Sequence, residues 1–190
     1  LCKAIASSPQ CEHLFCAPGN GGIEADATCV RMNVQNPKAV IDFCKIQAID
    51  LVVIGPEAPL SEGLTDALEA AHISVFGPSQ QAAQLESSKS FMKDLCAANS
   101  IPTAAYASFN EAQAAKAYVR KLGAPLVIKA DGLAAGKGVV IAQSEDEALH
   151  AVDALLTENA FGPAGNRIVV EEFMAGDEVS FFALLDGKGG

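Results

Sequence analysis

"KADGLAAGKGVV", residues 129–140, decides the fold, because it sets a small, glycine-rich loop between two apolar runs. The flanking runs "APLVIKAD" and "GVVIAQ" predict two strands joined by this loop.

A Walker A loop needs four residues between its first glycine and Gly-Lys-Ser/Thr, with a helix after it. Here three residues separate Gly132 from Gly136, Lys137 is followed by Gly138, and a strand follows. A dinucleotide-binding glycine turn also opens a helix. The loop is therefore either a flap whose backbone N–H groups close over a polyphosphate or a plain hairpin tip.

Strand-like and helix-like segments alternate over residues 1–78, which is typical of a doubly wound parallel α/β domain. The pattern predicts strands over 13–17, 28–34, 50–55 and 73–77, and helices over 37–48 and 59–72. Pro37 and Pro59 are placed at first helical positions. Residues 1–8 read as the tail of a helix, so we expect the first strand and its glycine-rich turn to lie outside this chain.

The second half predicts a compact α+β unit. Helices are expected over 79–98 and 108–123, the latter capped by Asn110 and ended by Gly123. Ser144 and Glu147 form a Ser-x-x-Glu capping box at the start of a further helix. Strands are expected over 124–131, 138–143, 167–174 and 178–186, the last two joined as a hairpin.

Composition excludes several classes of protein. The net charge is −10, with 23 acidic and 13 basic residues, which repels a nucleic-acid backbone. No apolar run approaches the length of a membrane span or a signal peptide core. The six cysteines include no Cys-x-x-Cys pair, so we expect no zinc site and free, mostly buried thiols in a reducing, cytoplasmic compartment.

Two lysines and a hinge surround the loop. Lys129 ends an apolar run beside the flap, although a solvated strand end is the alternative. Lys89 lies in a first helical turn, where a cation opposes the helix dipole unless an anion is held nearby. "VVEEFMAGDEVS" (169–180) can offer backbone groups to an adenine edge, and Glu178 can accept from ribose hydroxyls. Taken singly, its glutamates are more typical of a strand surface. Together these elements describe ATP.

The runs "GPEAPLSEGLTDALEAAHISVFGPSQQAAQLESSKSFMKD", "IPTAAYASF", "GAPLVIKADGLAAGKGVVIA" and "VVEEFMAGDEVSFFALLDG" closely resemble the phosphoribosylamine–glycine ligases. These enzymes, also called glycinamide ribonucleotide synthetases, are ATP-grasp ligases of purine biosynthesis. The resemblance covers nearly the whole chain. "GPEAPL" and "KADGLAAGKGV" separate this family from most other ATP-grasp enzymes.

The resemblance implies three domain segments. Residues 1–78 would be an N-terminal α/β substrate-binding domain, truncated at its start. Residues 79–122 would be a helical connection and the start of the ATP-grasp domain, and residues 123–190 its small lid subdomain. The rest of the ATP-grasp domain and the C-terminal domain would lie beyond residue 190, so we expect this chain alone to be inactive.

The resemblance also implies roles for individual residues. For ATP, the catalytic residues Lys89 and Lys129 would contact the phosphates. The flap would be formed by Gly136, Lys137 and Gly138. The adenine hinge would consist of Glu171, Glu172 and Phe173, and Glu178 would contact the ribose. For phosphoribosylamine and glycine, the candidates are Gly19, Asn20 and Gly21 in "PGNGG", and Gly55, Pro56, Glu57 and Pro59 in "GPEAP". Mg²⁺ or Mn²⁺ would be held by Glu and Asn residues outside this chain, and no metal ligand is assigned within it.

The implied reaction joins glycine to 5-phosphoribosylamine through glycyl phosphate, with ADP and phosphate as products. The expected partners are these small molecules, without nucleic acid or membrane, and the protein is expected to be a monomer or weak homodimer. Two alternatives stay open. One is another ATP-grasp carboxylase or ligase of the purine pathway, which would share the two lysines and the ribose glutamate. The other is a nucleotide-binding module without catalysis.

Overall fold

The fold comes from a computed structural model that describes residues 1–134, 138–158 and 162–183. The chain divides into two compact units, Leu1–Met92 and Lys93–Gly190. Each unit carries its own hydrophobic core of buried residues. In the described part of the chain, none of the helices combines the length and apolarity needed to span a bilayer.

The first unit alternates helices with short parallel strands, as the sequence predicts. Its helices are α1 (Cys2–Ala6), α2 (Pro37–Ile46), α3 (Glu57–Ser61), α4 (Leu64–Ala70) and α5 (Gln80–Ser87). Its strands are β1 (Phe15–Cys16), β2 (Thr28–Cys29), β3 (Val52–Val53) and β4 (Val75–Phe76). β1 pairs with β2 and β3 with β4, both in parallel. The core of this unit contains Val40, Cys44, Leu64, Leu68 and Ile73.

The predicted helix over 59–72 is wrong in one respect, because two helices occupy that region. Gly63 lies between α3 and α4 with φ +87°, a left-handed conformation that interrupts a right-handed helix. Pro59 is the third residue of α3 rather than its first, since the helix begins at Glu57. It is still in the first turn, where a missing N–H leaves no helical hydrogen bond unmade.

The second unit is an antiparallel sheet with two of its helices packed on one face. α6 (Lys89–Ala98) runs across the boundary between the units, and its preceding residue Ser88 adopts an extended conformation that separates it from α5. The elements that follow are β5 (Tyr106–Phe109), α7 (Ala112–Leu122), β6 (Leu126–Ala130), β7 (Val139–Ala142), α8 (Glu145–Leu156), a short 3-10 helix (Gly162–Gly165) and β8 (Ile168–Glu172). The strand order is β5-β8-β6-β7, with every neighbouring pair antiparallel.

Strand β5 was missed by the sequence analysis. Residues 108–109 belong to β5, so α7 begins later than predicted, at Ala112. Asn110 does not cap this helix, because its Oδ1 accepts a hydrogen bond of 3.0 Å from Arg167 Nε. Short strands with mixed residues such as Tyr106–Phe109 are recognised by their pairing with a neighbour, which the sequence alone does not display.

The predicted hairpin between 167–174 and 178–186 is also wrong within the described residues. The first segment is β8, but residues 178–183 form no strand. β8 already has β5 on one edge and β6 on the other, so it has no edge left for a hairpin partner. Residues 184–186 lie outside the described residues.

Cysteine burial differs from the prediction. All six cysteines are free thiols, as expected, but Cys44 alone among them is buried and the other five are half-buried. Burial raises the pKa of the Cys44 thiol above its ordinary value, which keeps it protonated.

The predicted capping box is present at the start of α8. Ser144 Oγ accepts from the backbone N–H of Glu147 at 3.3 Å. Glu147 Oε2 reaches back to the N–H of Gln143 at 2.7 Å, one residue before the cap. The first contact satisfies an N–H group that a helix start leaves without a partner, and the second ties the segment before the cap to the first turn.

Replacing Ser144 by Ala is expected to loosen the first turn of α8. Loss of an N-cap costs about 1 kcal/mol, so amides of the first turn should exchange hydrogen roughly fivefold faster in the full-length protein. Ser144→Asp, which restores a side-chain acceptor, is the matched control and should exchange at the native rate. Equal exchange in native protein and Ser144→Ala would contradict a capping role.

Candidate functional site

The two faces of the antiparallel sheet differ in what covers them. Alternate residues Leu126, Ile128 and Ala130 of β6 face the core formed with α7 and α8. The residues between them, Val127 and Lys129, therefore point to the opposite face. In the register of the sheet this second face also carries Tyr106, Val139, Ile141, Val169 and Glu171.

The second face is partly open and largely apolar. Val139 is 45% exposed and Ile141 54% exposed, although both are strand residues beside a fully buried core. Apolar side chains around a few placed charges are typical of a pocket for a flat organic ligand with a charged end. This face is the candidate site of the second unit.

A lysine–glutamate cluster, formed by Lys93, Lys129 and Glu171, stands on this face. Glu171 Oε2 contacts Lys93 Nζ at 3.1 Å and Lys129 Nζ at 3.0 Å. Glu171 comes from β8, Lys129 from the neighbouring β6, and Lys93 from α6. Two ammonium groups and one carboxylate leave a formal excess of one positive charge in a chain whose net charge is −10. The cluster is therefore a local attractor for anions.

Glu171 is the buried centre of this cluster. Its side chain is 5% exposed, which excludes the surface-strand alternative for this residue. Its second oxygen, Oε1, is also buried and has no hydrogen-bond partner among the described residues. A buried carboxylate oxygen without a donor is costly, so any donor group that reached Oε1 would stabilise the site.

Lys93 is held more tightly than Lys129. Besides Glu171, its ammonium donates to Thr103 Oγ1 at 2.7 Å and to the carbonyl of Ala104 at 3.3 Å. It also lies 5.7 Å from the centroid of the Tyr106 ring, within range of a cation–π interaction. The Tyr106 hydroxyl in turn donates to Asp94 Oδ1 at 2.7 Å, and that hydrogen bond raises the pKa of Tyr106 to about 12.

The predicted hinge and ribose residues differ in their contacts and in their exposure. Glu172 Oε1 accepts from the N–H of Ala105 at 2.9 Å, and its own N–H donates to the Ala105 carbonyl at 2.9 Å. The Glu172 side chain therefore ties β8 to the segment before β5. Phe173 is exposed, and so is Glu178 beyond it. The backbone N–H of Glu172 is already paired, and the adenine role of this residue stays a prediction.

The flap is anchored at both ends of its described part. Gly138 is buried, and its carbonyl accepts from Ala130 N–H at 2.7 Å, which extends the pairing of β6 with β7. On the other side, Asp131 N–H donates to the Arg167 carbonyl at 3.0 Å. Lys129 pairs with Val139 across the sheet and so stands at the base of the flap, as predicted. Gly136 and Lys137 lie outside the described residues.

Lys89 is the first residue of α6, which places it in the first turn as predicted. It belongs to the first compact unit, whereas Lys129 belongs to the second. Ser88 Oγ accepts from the N–H of Phe91 at 3.2 Å and so caps this helix.

In the first unit, the loop 18–22 follows the carboxyl end of β1. Asn20 Oδ1 accepts from the N–H groups of Gly22 at 3.0 Å and Ile23 at 3.2 Å, so its side chain holds the loop together. Gly19 has φ +75°, and a Cβ placed there would lie 2.3 Å from Cys29 Sγ. Glycine is required at that position by both conformation and space. Gly21 is exposed, with open space around it.

The segment 55–59 follows the carboxyl end of β3 and opens α3. Gly55, Pro56 and Glu57 are exposed, whereas Pro59 is buried within α3. Ligands of open α/β sheets bind outside the carboxyl ends of the strands, which is where both this segment and the 18–22 loop lie. The exposed residues suit a ligand contact, and Pro59 suits a packing role.

Two neighbours of Glu171 were missed by the sequence analysis, Lys93 and Tyr106. Lys93 carried a signal, since it follows Lys89 by four residues and therefore shares a helix face with it. Tyr106 lies in the missed strand β5, directly opposite Glu171. No such signal marks Thr103, whose role depends on the path of the chain between α6 and β5.

A metal site is not formed by the described residues. No group of three or more His, Cys, Asp or Glu side chains in that part of the chain lies close enough to hold an ion.

Comparison with known proteins adds to this geometry. The chain matches the family models of the phosphoribosylglycinamide synthetase N domain over residues 1–86 and the phosphoribosylglycinamide synthetase ATP-grasp (A) domain over residues 87–189. It is 58% identical to the phosphoribosylamine–glycine ligase of Rhizobium meliloti over 99% of this chain and 44% of that protein. It is 54% identical to the chloroplastic enzyme of Arabidopsis thaliana, over 99% of this chain and 36% of that protein.

A solved structure supports the same assignment. The crystal structure of the phosphoribosylamine–glycine ligase from Thermotoga maritima matches with a TM-score of 0.73 and 27% identity, covering 93% of this chain and 41% of that one. The chain thus spans less than half the length of these relatives. The N domain matches residues 1–86 and the ATP-grasp (A) domain residues 87–189, and the chain belongs to the phosphoribosylglycinamide synthetase family.

Proposed function

We propose that the protein that carries this chain ligates glycine to 5-phosphoribosylamine, using ATP and giving glycinamide ribonucleotide, ADP and phosphate. The observation that supports it best is the lysine–glutamate cluster on the open face of an antiparallel sheet, between the base of a flap and a hinge. Three features occur together on this face. The cluster carries positive charge that suits phosphates, and the apolar side chains beside it suit a base. The buried Oε1 of Glu171 has no hydrogen-bond partner among the described residues. The family match supplies the substrates.

In this proposal, ATP activates the glycine carboxylate. The γ-phosphoryl group passes to a carboxylate oxygen, which gives glycyl phosphate and ADP. The amine of 5-phosphoribosylamine then attacks the acyl carbon, and phosphate leaves. Phosphoryl transfer asks the protein for positioning and charge neutralisation more than for an acid or base. Lys129 and Lys89 neutralise and orient the phosphates, and the flap excludes water that would hydrolyse the acyl phosphate.

The remaining roles follow the same scheme. The backbone of Glu172 and Phe173 holds the adenine edge, and Glu178 accepts from the ribose hydroxyls. The exposed residues of the 18–22 and 55–59 segments contact the phosphoribosylamine and glycine. Mg²⁺ or Mn²⁺, when bound with ATP, would neutralise phosphate charge. The protein acts in the cytoplasm as a monomer or weak homodimer.

The direct test follows ADP release by the full-length protein with ATP, magnesium, glycine and freshly prepared 5-phosphoribosylamine, omitting each substrate in turn. Release that depends on both glycine and the amine is the expected result. Release that depends on a different carboxylate or amine would leave the ATP site standing and overturn the substrates. ATP binding without release of ADP would favour a nucleotide-binding module.

Lys129→Ala in the full-length protein is expected to lower turnover by roughly a hundredfold or more, because the lost charge stabilises the transferring phosphoryl group. Circular dichroism should show an unchanged fold, since Lys129 is 26% exposed at a strand end. Lys121→Ala, at the exposed end of α7, is the matched control and should keep native turnover. Native activity in Lys129→Ala would refute the phosphate role.

A further inference from the structure

The two lysines that share Glu171 Oε2 differ in their freedom to leave it. Lys93 is 3% exposed and Lys129 26% exposed, although both ammonium groups lie about equally far from the same oxygen. Lys129 sits at the base of the flap, where its side chain can reach out from the sheet. Lys93 is enclosed between α6, the segment 103–104 and the Tyr106 ring.

The hydrogen bonds of Lys93 fix it in place. An ammonium group has three donors, and those of Lys93 are used by Glu171 Oε2, Thr103 Oγ1 and the Ala104 carbonyl. Moving Lys93 would break all three contacts inside a buried site, where each unpaired polar group is costly. Lys93 is therefore the permanent counter-ion of Glu171.

This permanence has a consequence for Lys129. When Lys129 turns to a bound anion, Glu171 keeps Lys93 as a partner, so its buried carboxylate is not left uncompensated. Without Lys93, Lys129 would be the sole cation beside Glu171 in the described part of the site. Its departure would then strand a buried charge, which is strongly unfavourable.

We propose that Lys93 is a positioning residue that releases Lys129 to the nucleotide phosphates by neutralising Glu171 in its place. Lys93 itself touches no part of the nucleotide. The role rests on the proposed function, because it takes Lys129 as a phosphate contact. It adds a residue that controls how strongly the phosphates, rather than the base and sugar, contribute to binding.

Lys93→Met tests this role, because methionine keeps the length of the side chain without its charge. The affinities of the full-length protein for ATP and for adenosine, which lacks phosphates, are measured at constant magnesium. The affinity for ATP should fall roughly tenfold or more, since Lys129 is then retained by Glu171. The affinity for adenosine should stay within about twofold of the native value, as expected for an uncoupled group. Equal losses for both ligands would show a merely structural role and overturn the proposal.

Coupling between Lys93 and Glu171 provides a second criterion. Lys129→Ala should also weaken ATP binding. Adding Glu171→Gln to Lys93→Met should restore much of the ATP affinity that Lys93→Met loses, because a neutral amide no longer retains Lys129. An ATP affinity that is not restored would overturn the proposal. If Lys129→Ala weakens ATP binding while Lys93→Met does not, the positioning role falls and the proposed function stands. If Lys129→Ala leaves ATP binding unchanged, the phosphate role itself falls, and the role of Lys93 falls with it.

Lys93→Gln keeps the test decisive if Lys93→Met does not fold. This change removes the charge but keeps an amide donor for the buried acceptors around Lys93, and it leaves Glu171 and Lys129 untouched. The affinity for ATP should fall roughly tenfold, with that for adenosine unchanged. Lys121→Ala is the control and should bind both ligands as the native protein does. Native ATP affinity in Lys93→Gln would overturn the proposal.

Discussion

The buried carboxylate of Glu171 is the constraint on which the second unit depends. A carboxylate that is 5% exposed in the middle of a sheet is tolerated because two ammonium groups reach one of its oxygens. Each partner comes from a different element, so satisfying this one charge fixes α6, β6 and β8 relative to one another within the unit. The same contacts gather positive charge at the base of the flap. The side chains that compensate the buried charge of Glu171 are therefore the same ones that form the candidate anion site.

One face of the sheet packs against the core, and the other carries the candidate site. One face is packed by α7 and α8 and supplies the fully buried residues of the core. The other leaves Val139 and Ile141 exposed beside the charged cluster. Antiparallel strands permit this division, because alternate side chains point to opposite faces. In the first unit the candidate residues instead follow the carboxyl ends of β1 and β3, in loops held by their own hydrogen bonds.

The spacing of apolar residues, the capping residues and the glycine-rich loop predicted several elements of the second unit from the sequence. Apolar runs gave β6 and β7, Ser144 and Glu147 marked the start of α8, and the glycine-rich loop led to Lys129. The pairing of strands that are distant in the sequence could not be predicted. β5 is recognisable only through its register with β8. The apolar pattern of residues 178–186 predicted a further strand beside β8, but it does not reveal that both edges of β8 are already paired. The break between α3 and α4 was not predicted, because the sequence does not show that Gly63 adopts a left-handed conformation. Lys93 was overlooked because a lysine on an amphipathic helix is normally solvated, and its burial depends on Glu171, 78 residues later.

A double-mutant cycle between Lys93 and Glu171 tests the central role of this carboxylate most directly. The free energy of opening of β6 and β8 is measured by hydrogen exchange in the full-length protein for Lys93→Met, Glu171→Met and the double variant. Glu171→Met leaves the buried ammonium group of Lys93 without a carboxylate and should cost about 3 kcal/mol or more, whereas Lys93→Met should cost less, because Lys129 still pairs with Glu171. In the double variant an apolar pair replaces the ion pair, which should restore much of the loss caused by Glu171→Met. We therefore expect the double variant to lose less than the sum of the single losses, by about 2 kcal/mol or more. Losses that add to within about 0.5 kcal/mol would contradict the account, since they would mean that Lys93 and Glu171 stabilise the sheet independently.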